Sequence, residues 1–260
     1  MPDESPLRGR GVVVTRPVAQ AEGLCRAIEA AGGRAIRFPA LEIQPLDAAP
    51  RKLDDAYDLR IYVSANAVRF GPPETAAPPD LLAVGPATRR ALEARGLRVC
   101  EAPRLPYDSE ALLALPRLRR VRGQRILIVR GEGGRERLAD VLRRRGACVD
   151  YAQVYRRVVP EGDDAALAAE WTRGHIHAVT VASVATLENL LRMLGTECRT
   201  RLRGTPMVVA SGRVLQKARA LGFVQPIVTA ADPGDRAMTQ AVIQVVIQAL
   251  SHPTDTATQT

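Results

Sequence analysis

Lysine is nearly missing from this chain: of its 37 basic residues only Lys52 and Lys217 are lysine, and the rest are arginine. Aromatic residues are scarce too, at 3% of 260 residues, with one tryptophan. Proteins that hold single-stranded nucleic acid stack bases on aromatic side chains, so this scarcity argues against a nucleic-acid partner despite a net charge of +9. The four cysteines, Cys25, Cys100, Cys148 and Cys198, lie far apart and form no CxxC pair. That spacing speaks against zinc and disulfide frameworks and predicts buried, reduced thiols in a cytoplasmic protein. No uncharged apolar run approaches membrane-spanning length, which predicts no membrane association. The opening MPDESPLRGRG has no apolar signal-peptide core.

Familiar chemical motifs are absent as well. Nothing reads GxxxxGK[ST], and GEGGRE, though glycine-rich, lacks the GxGxxG spacing of a dinucleotide loop. There is no GxSxG elbow and no Ser/His/Asp set around one. His175 and His177 alternate at what reads as a strand entrance, and His252 sits in a polar tail, so exposed histidines are expected rather than a metal site.

What remains is a globular composition, 46% hydrophobic and 25% charged. The excess of cations favours an anionic partner, nucleic acid or a small poly-acid, and arginine suits planar carboxylates and phosphates. Arginines crowd between Pro116 and Gly146, the best candidate for a basic face, although such runs are usually solvated helix surface.

The chain also repeats itself. GVVVTRP leads into a helical pattern with Leu24, Ile28 and Ala31 on one face and Gly32 as its stop; RAIRF follows as a strand. RILIVRG leads likewise into a helix with Leu138, Val141 and Leu142 on one face and Gly146 as its stop, and CVDYAQVY follows. The two units align without a gap, Arg16 on Arg130 and Gly32 on Gly146. Further on, IYVSANAV matches VTVASVAT, and LLAVGPATRRALEARGL matches PMVVASGRVLQKARALGF, with Gly96 and Gly222 closing the helices. RVCEA and PIVTA end the two series as short strands. A duplicated strand-helix unit requires parallel pairing, so the fold class is α/β with two similar lobes, each a parallel sheet flanked by helices.

Strand ends in parallel sheets face the ligand side. Ser64, Gly85 with Pro86, Gly131, Ser183 and Ser211 with Gly212 all fall where a strand hands over to a helix. A serine there caps the helix, and the free N–H groups and dipole attract an anion. Any one such junction is an ordinary cap; five of them in two copies favour contact with a ligand.

In order along the chain, VVVTRP (12–17), FPALEIQP (38–45), YVSANAVRF (62–70), VGPATRRAL (84–92), SEALLAL (109–115), the run from ILIVRGEGG to VYRR (126–157), VTVASVATLENL (179–190) and VVASGRVLQKARALGF (208–223) resemble the uroporphyrinogen-III synthase family. No single motif is diagnostic; their order over nearly the whole chain is. The resemblance implies a cofactor-free, monomeric cytoplasmic enzyme with the substrate in a cleft between lobes. It would close the linear tetrapyrrole hydroxymethylbilane into uroporphyrinogen III, losing water and inverting the last ring, in tetrapyrrole biosynthesis. The substrate's eight carboxylates suit a basic site, and transient handover from the preceding pathway enzyme is the expected partnership. Positioning is then the larger task, because the hydroxymethyl group leaves readily.

The resemblance also places Tyr155, in the family's V-Y motif, as the general acid, and Thr88 of VGPAT beside the substrate. The ordinary readings are a half-buried strand aromatic and a first-turn threonine bonded to its own backbone. Where the family's other copy often has hydroxyls this chain reads SGRV, so Arg213 is expected to bind a carboxylate. The matched Arg16 and Arg130 complete the substrate-binding set with Ser64, Gly85, Gly131, Ser183 and Ser211. An exchanged arrangement is expected, with residues 1–38 and 168–250 in one lobe and 48–152 in the other. FPALEIQPL and QVYRRVVPE are the crossing linkers (39–47 and 153–167), and 251–260 form a disordered tail. The alternative is a non-catalytic two-lobed sensor of an anionic small molecule, separated from the enzyme by an isomer assay.

Overall fold

The structure is a computed structural model that describes residues 5–47, 56–74, 79–100, 103, 108–134 and 136–251. The chain opens with β1 (Gly11–Val14), α1 (Val18–Ala30), β2 (Arg34–Arg37) and β3 (Glu42–Pro45). Then come β4 (Leu59–Tyr62), α2 (Ala65–Phe70), β5 (Asp80–Ala83), α3 (Pro86–Glu93), α4 (Ser109–Leu113) and α5 (Pro116–Arg119). β6 (Arg125–Gly131), α6 (Arg137–Arg144), β7 (Cys148–Val158), α7 (Ala165–Thr172), β8 (Ile176–Val181) and α8 (Val184–Met193) follow. The last part holds α9 (Thr196–Arg203), β9 (Met207–Val209), α10 (Gly212–Ala220), β10 (Ile227–Thr229) and α11 (Asp235–Ser251).

These elements form two compact units, one of the chain up to Glu42 and from Val158 onward, the other of Ile43–Arg157. The first holds the sheet β10-β9-β8-β1-β2, the second the sheet β3-β7-β6-β4-β5. In the terms of the repeat, each sheet joins the front half of one copy to the back half of the other. The registered pairs are parallel, with β1 between β2 and β8 and with β6 between β4 and β7. Helices cover both faces, so the central strands read as unbroken apolar runs, and β1 is buried at all four positions. Alternation still assigns faces: Val13, Val179 and Val181 enter one core of the first sheet, and Val12, Val14 and Ala178 the other. Leu59, Ile61, Ile126 and Ile128 enter one core of the second sheet, with Tyr62, Leu127 and Val129 opposite.

The matched glycines end their helices for a backbone reason. Gly32 and Gly146 adopt φ of 84° and 88°, the left-handed region that closes α1 and α6 and that a Cβ would disfavour.

Several expectations need correction. RVCEA does not form a strand over its described residues 98–100; Cys100 N–H donates once to Leu81 O beside β5, at 2.9 Å. Only Cys25 and Cys198 are buried, whereas Cys100 and Cys148 are exposed; all four are free. Part of the arginine-rich stretch is bonded internally: Arg145 donates to Leu113 O and Leu118 O, Arg143 to Val149 O, and Arg117 to Asp80 and Gln124. These guanidiniums close loops and helix ends, while Arg119, Arg120, Arg122, Arg137 and Arg144 stay exposed, as in a solvated surface. Residues 252–260 of the expected tail, with His252, lie outside the described residues, and Ser251 ends α11.

His175 is exposed and faces Glu170, but His177 is half-buried, because it lies within β8. Gly11 N–H donates to His177 Nδ1 at 3.1 Å. Burial, then the charge of Arg10, hold His177 below the usual imidazole value. A depressed folded value means that the unfolded chain takes the proton first, so stability is lost as pH falls below about 6.5. Melting temperature should therefore drop more between pH 7.5 and 5.5 in the natural protein than in His177→Gln. Equal drops in the two would remove His177 from the acid response.

Candidate active site

In the second unit β7 carries Tyr155, and the ends of β6, β4 and β5 carry Gly131, Ser64 and Gly85, four of the residues singled out from sequence. Ser64 has extended backbone and caps α2, its Oγ accepting from Ala67 N–H at 3.0 Å. The same Oγ lies 3.1 Å from the hydroxyl of Tyr155, a residue only 1% exposed. Gly131 makes room for that ring: a Cβ there would sit 2.6 Å from two of its carbons. The register shifts between Arg130 and Gly131, so that Gly131 stands opposite Tyr155, and Phe70 packs on the ring at 6.1 Å. At the same repeat offset the first copy carries Leu41, so the tyrosine belongs to one copy alone.

One residue of this group was not picked out from sequence. Arg157, two positions on and therefore on the same face of β7, donates from Nη2 to the Tyr155 hydroxyl at 3.0 Å. The period of two along YRR, residues 155–157, was the available signal. Tyr155, Arg157, Tyr151, Val63 and the backbone of Gly133 and Gly134 line a pocket of about 210 Å³.

Arg130 also borders this pocket, but its charge is committed. It is buried, pairs with Glu136 at 2.9 Å, donates to Gly133 O, and stacks 4.6 Å from the Tyr151 ring centre. Glu136 also accepts from the Tyr151 hydroxyl, and that bond, followed by Arg130, lowers its carboxyl below the usual range. Burial, then Glu136, raises Tyr151. Arg130 thus shapes the loop after β6. That loop separates Gly131 from α6, which starts only at Arg137, so the expected helix N-terminus at Gly131 is not there.

Gly85 and Pro86 do open α3. Thr88, in its first turn, is 4% exposed, and its hydroxyl has no hydrogen-bond partner among the described residues. The bond to its own backbone, the ordinary alternative for a first-turn threonine, is not formed.

In the first unit the ends of β9, β8 and β1 carry Ser211, Ser183 and Arg16. Ser183 caps α8 through Thr186 N–H at 3.1 Å and lies 2.8 Å from the Thr186 hydroxyl. Ser211 precedes α10 without capping it through its side chain. Arg213 is exposed and has no ion pair among the described residues. Arg16 is held by Asp235 and by Pro233 O.

The chain is a parallel α/β protein of two units, and in the second unit a hydroxyl, a glycine and an arginine surround one buried tyrosine. The family model described as uroporphyrinogen-III synthase HemD matches residues 22–240. The Escherichia coli (strain K12) uroporphyrinogen-III synthase is 31% identical over 244 residues, covering 89% of this chain and 99% of that one. The Synechococcus elongatus enzyme of the same name is 31% identical over 223 residues, covering 77% of this chain and 82% of that one. The chain belongs to the uroporphyrinogen-III synthase family. In fold it resembles the uroporphyrinogen-III synthetase of Helicobacter pylori 26695 (TM-score 0.58, 14% identity, 91% of this chain and 99% of that one). A mutant uroporphyrinogen III synthase from the extremely thermophilic bacterium Thermus thermophilus is similar to the same degree (TM-score 0.57, 20% identity, 92% and 99%). Among the described residues no helix is long and apolar enough to cross a membrane, and no group of three His, Cys, Asp or Glu could hold a metal ion.

Proposed function

We propose that this chain closes hydroxymethylbilane to uroporphyrinogen III, with Tyr155 as the acid that protonates the departing hydroxyl. The observation that carries the reading is the Tyr155 hydroxyl, held between Ser64 and Arg157 at the edge of a pocket. As the hydroxymethyl C–O bond breaks, the oxygen takes the phenolic proton and leaves as water, and the terminal pyrrole becomes an azafulvene cation. Negative charge on the Tyr155 oxygen is met by the Arg157 guanidinium and the Ser64 hydroxyl. The phenol regains a proton once the macrocycle has formed.

The remaining candidates divide by what already holds them. Thr88, Ser211 and Arg213 have groups without partners among the described residues and are proposed to meet substrate carboxylates or pyrrole N–H groups. Gly85 and Ser183 present helix N-termini to carboxylates. Arg16 and Arg130, held by Asp235 and Glu136, are proposed to shape the strand ends that carry the others. The reading includes a cytoplasmic monomer supplied by the preceding pathway enzyme, in keeping with four free thiols.

The test is an isomer assay. With hydroxymethylbilane and no added metal or nucleotide, the purified protein should yield the type III isomer. Type I alone, as in a blank, would leave the sensor as the better reading.

A further inference from the structure

Resting on that reading, we infer that Arg157 binds a carboxylate arm of the ring carrying the hydroxymethyl group, and so sets that ring against Tyr155. Arg157 is exposed, lines the pocket, and makes no ion pair among the described residues. Its neighbour Arg130 is neutralised by Glu136, which leaves Arg157 as the uncompensated cation of this pocket among the described residues. A guanidinium has five N–H donors in a planar fork. One of them meets Tyr155 at 3.0 Å, and no other protein acceptor for the rest appears among the described residues. The open donors match a carboxylate, the group the substrate carries on every ring.

The contact with Tyr155 has a second consequence. A guanidinium only donates, so the phenolic oxygen accepts from it, and its own proton points away, toward Ser64 or an incoming hydroxyl. The same side chain that seats the carboxylate therefore aims the proton. Geometry also limits what enters: a pocket of about 210 Å³ is smaller than the ~300–1,000 Å³ of sites that enclose a whole ligand. It has room for part of the tetrapyrrole, one ring or its arms.

The experiment compares the natural protein with Arg157→Gln and Arg157→Lys in steady-state kinetics on hydroxymethylbilane, with thermal melts of all three. Loss of the charge-assisted contact to the carboxylate should raise the KM of Arg157→Gln about 10- to 100-fold, and kcat should fall as well, since the same guanidinium meets the charge on the Tyr155 oxygen. Arg157→Lys should recover part of the KM, since it restores a cation without the planar fork. The KM of Arg157→Gln should also depend less on salt than that of the natural protein. KM within twofold of the natural value in Arg157→Gln would overturn the inference, as would a loss confined to kcat that lysine does not relieve. Absence of type III product from the natural protein would instead reject the activity itself.

Discussion

Tyr155→Phe should lower kcat by ~10²–10⁴, the range of a lost general acid, while KM changes little. The substitution deletes one oxygen and keeps the ring that fills the space over Gly131 and against Phe70. Packing is therefore conserved, and the lost contacts to Ser64 and Arg157 should cost only about 1 kcal/mol each in stability. Slower enzymic closure lets spontaneous closure compete, so the product should shift toward the type I isomer. Steady-state kcat and the isomer ratio, with a melt as control, check this. A variant that turns over like the natural protein would return Tyr155 to an ordinary core aromatic of β7.

Glu74→Ala should destabilise the protein by about 3–5 kcal/mol, the cost of removing one partner from a buried ion pair. Arg60 lies in β4, between β6 and the edge strand β5 of the second sheet, with its side chain 0% exposed, and the Glu74 side chain is 2% exposed. Both the Arg60 guanidinium and the Tyr62 hydroxyl bond to Glu74, and burial, then that bond, raises Tyr62 well above the usual phenol range. Without the carboxylate, a guanidinium stays in an apolar core with no counter-charge from this residue. Against a total stability of about 5–15 kcal/mol, the loss is large. Glu93→Ala is the control: its pair with Arg89, 2.7 Å apart and half exposed on α3, should be worth no more than about 0.5 kcal/mol. Urea midpoints for both variants decide. A Glu74→Ala shift no larger than the control's would show that the buried pair contributes nothing.

Arg60 also shows why parts of the molecule could not be read in advance. In a chain whose cations are nearly all arginine, one more arginine before an apolar strand looks like a solvated strand end. Its partner is 14 residues away, beyond α2, and no local period connects them. Arg157 was better exposed to reading, since it shares a strand face with Tyr155, yet the neighbouring Arg156 carries the same side chain on the opposite face. Only the position of the Tyr155 hydroxyl distinguishes the two.

By itself the sequence determined the elements and the class of fold. Unbroken apolar runs ending on Ser64 and Ser183 fix buried parallel strands that hand over to capped helices, and both caps form. Matched glycines at 32 and 146 stop matched helices because positive φ suits only a residue without Cβ. Which halves share a sheet was an expectation taken from the family resemblance and the proline-ended connectors, and local pattern does not decide it. Two copies of one strand-helix unit present equivalent edges and apolar faces, so local propensity serves a tandem and an exchanged pairing equally well. The strand orders β10-β9-β8-β1-β2 and β3-β7-β6-β4-β5 select the exchanged one. That choice brings Ser64 of the first copy to Tyr155 of the second, 91 residues apart in the chain and 3.1 Å apart in space. The contact needs both copies, because Ser64 follows a strand of the first and Tyr155 lies on a strand of the second.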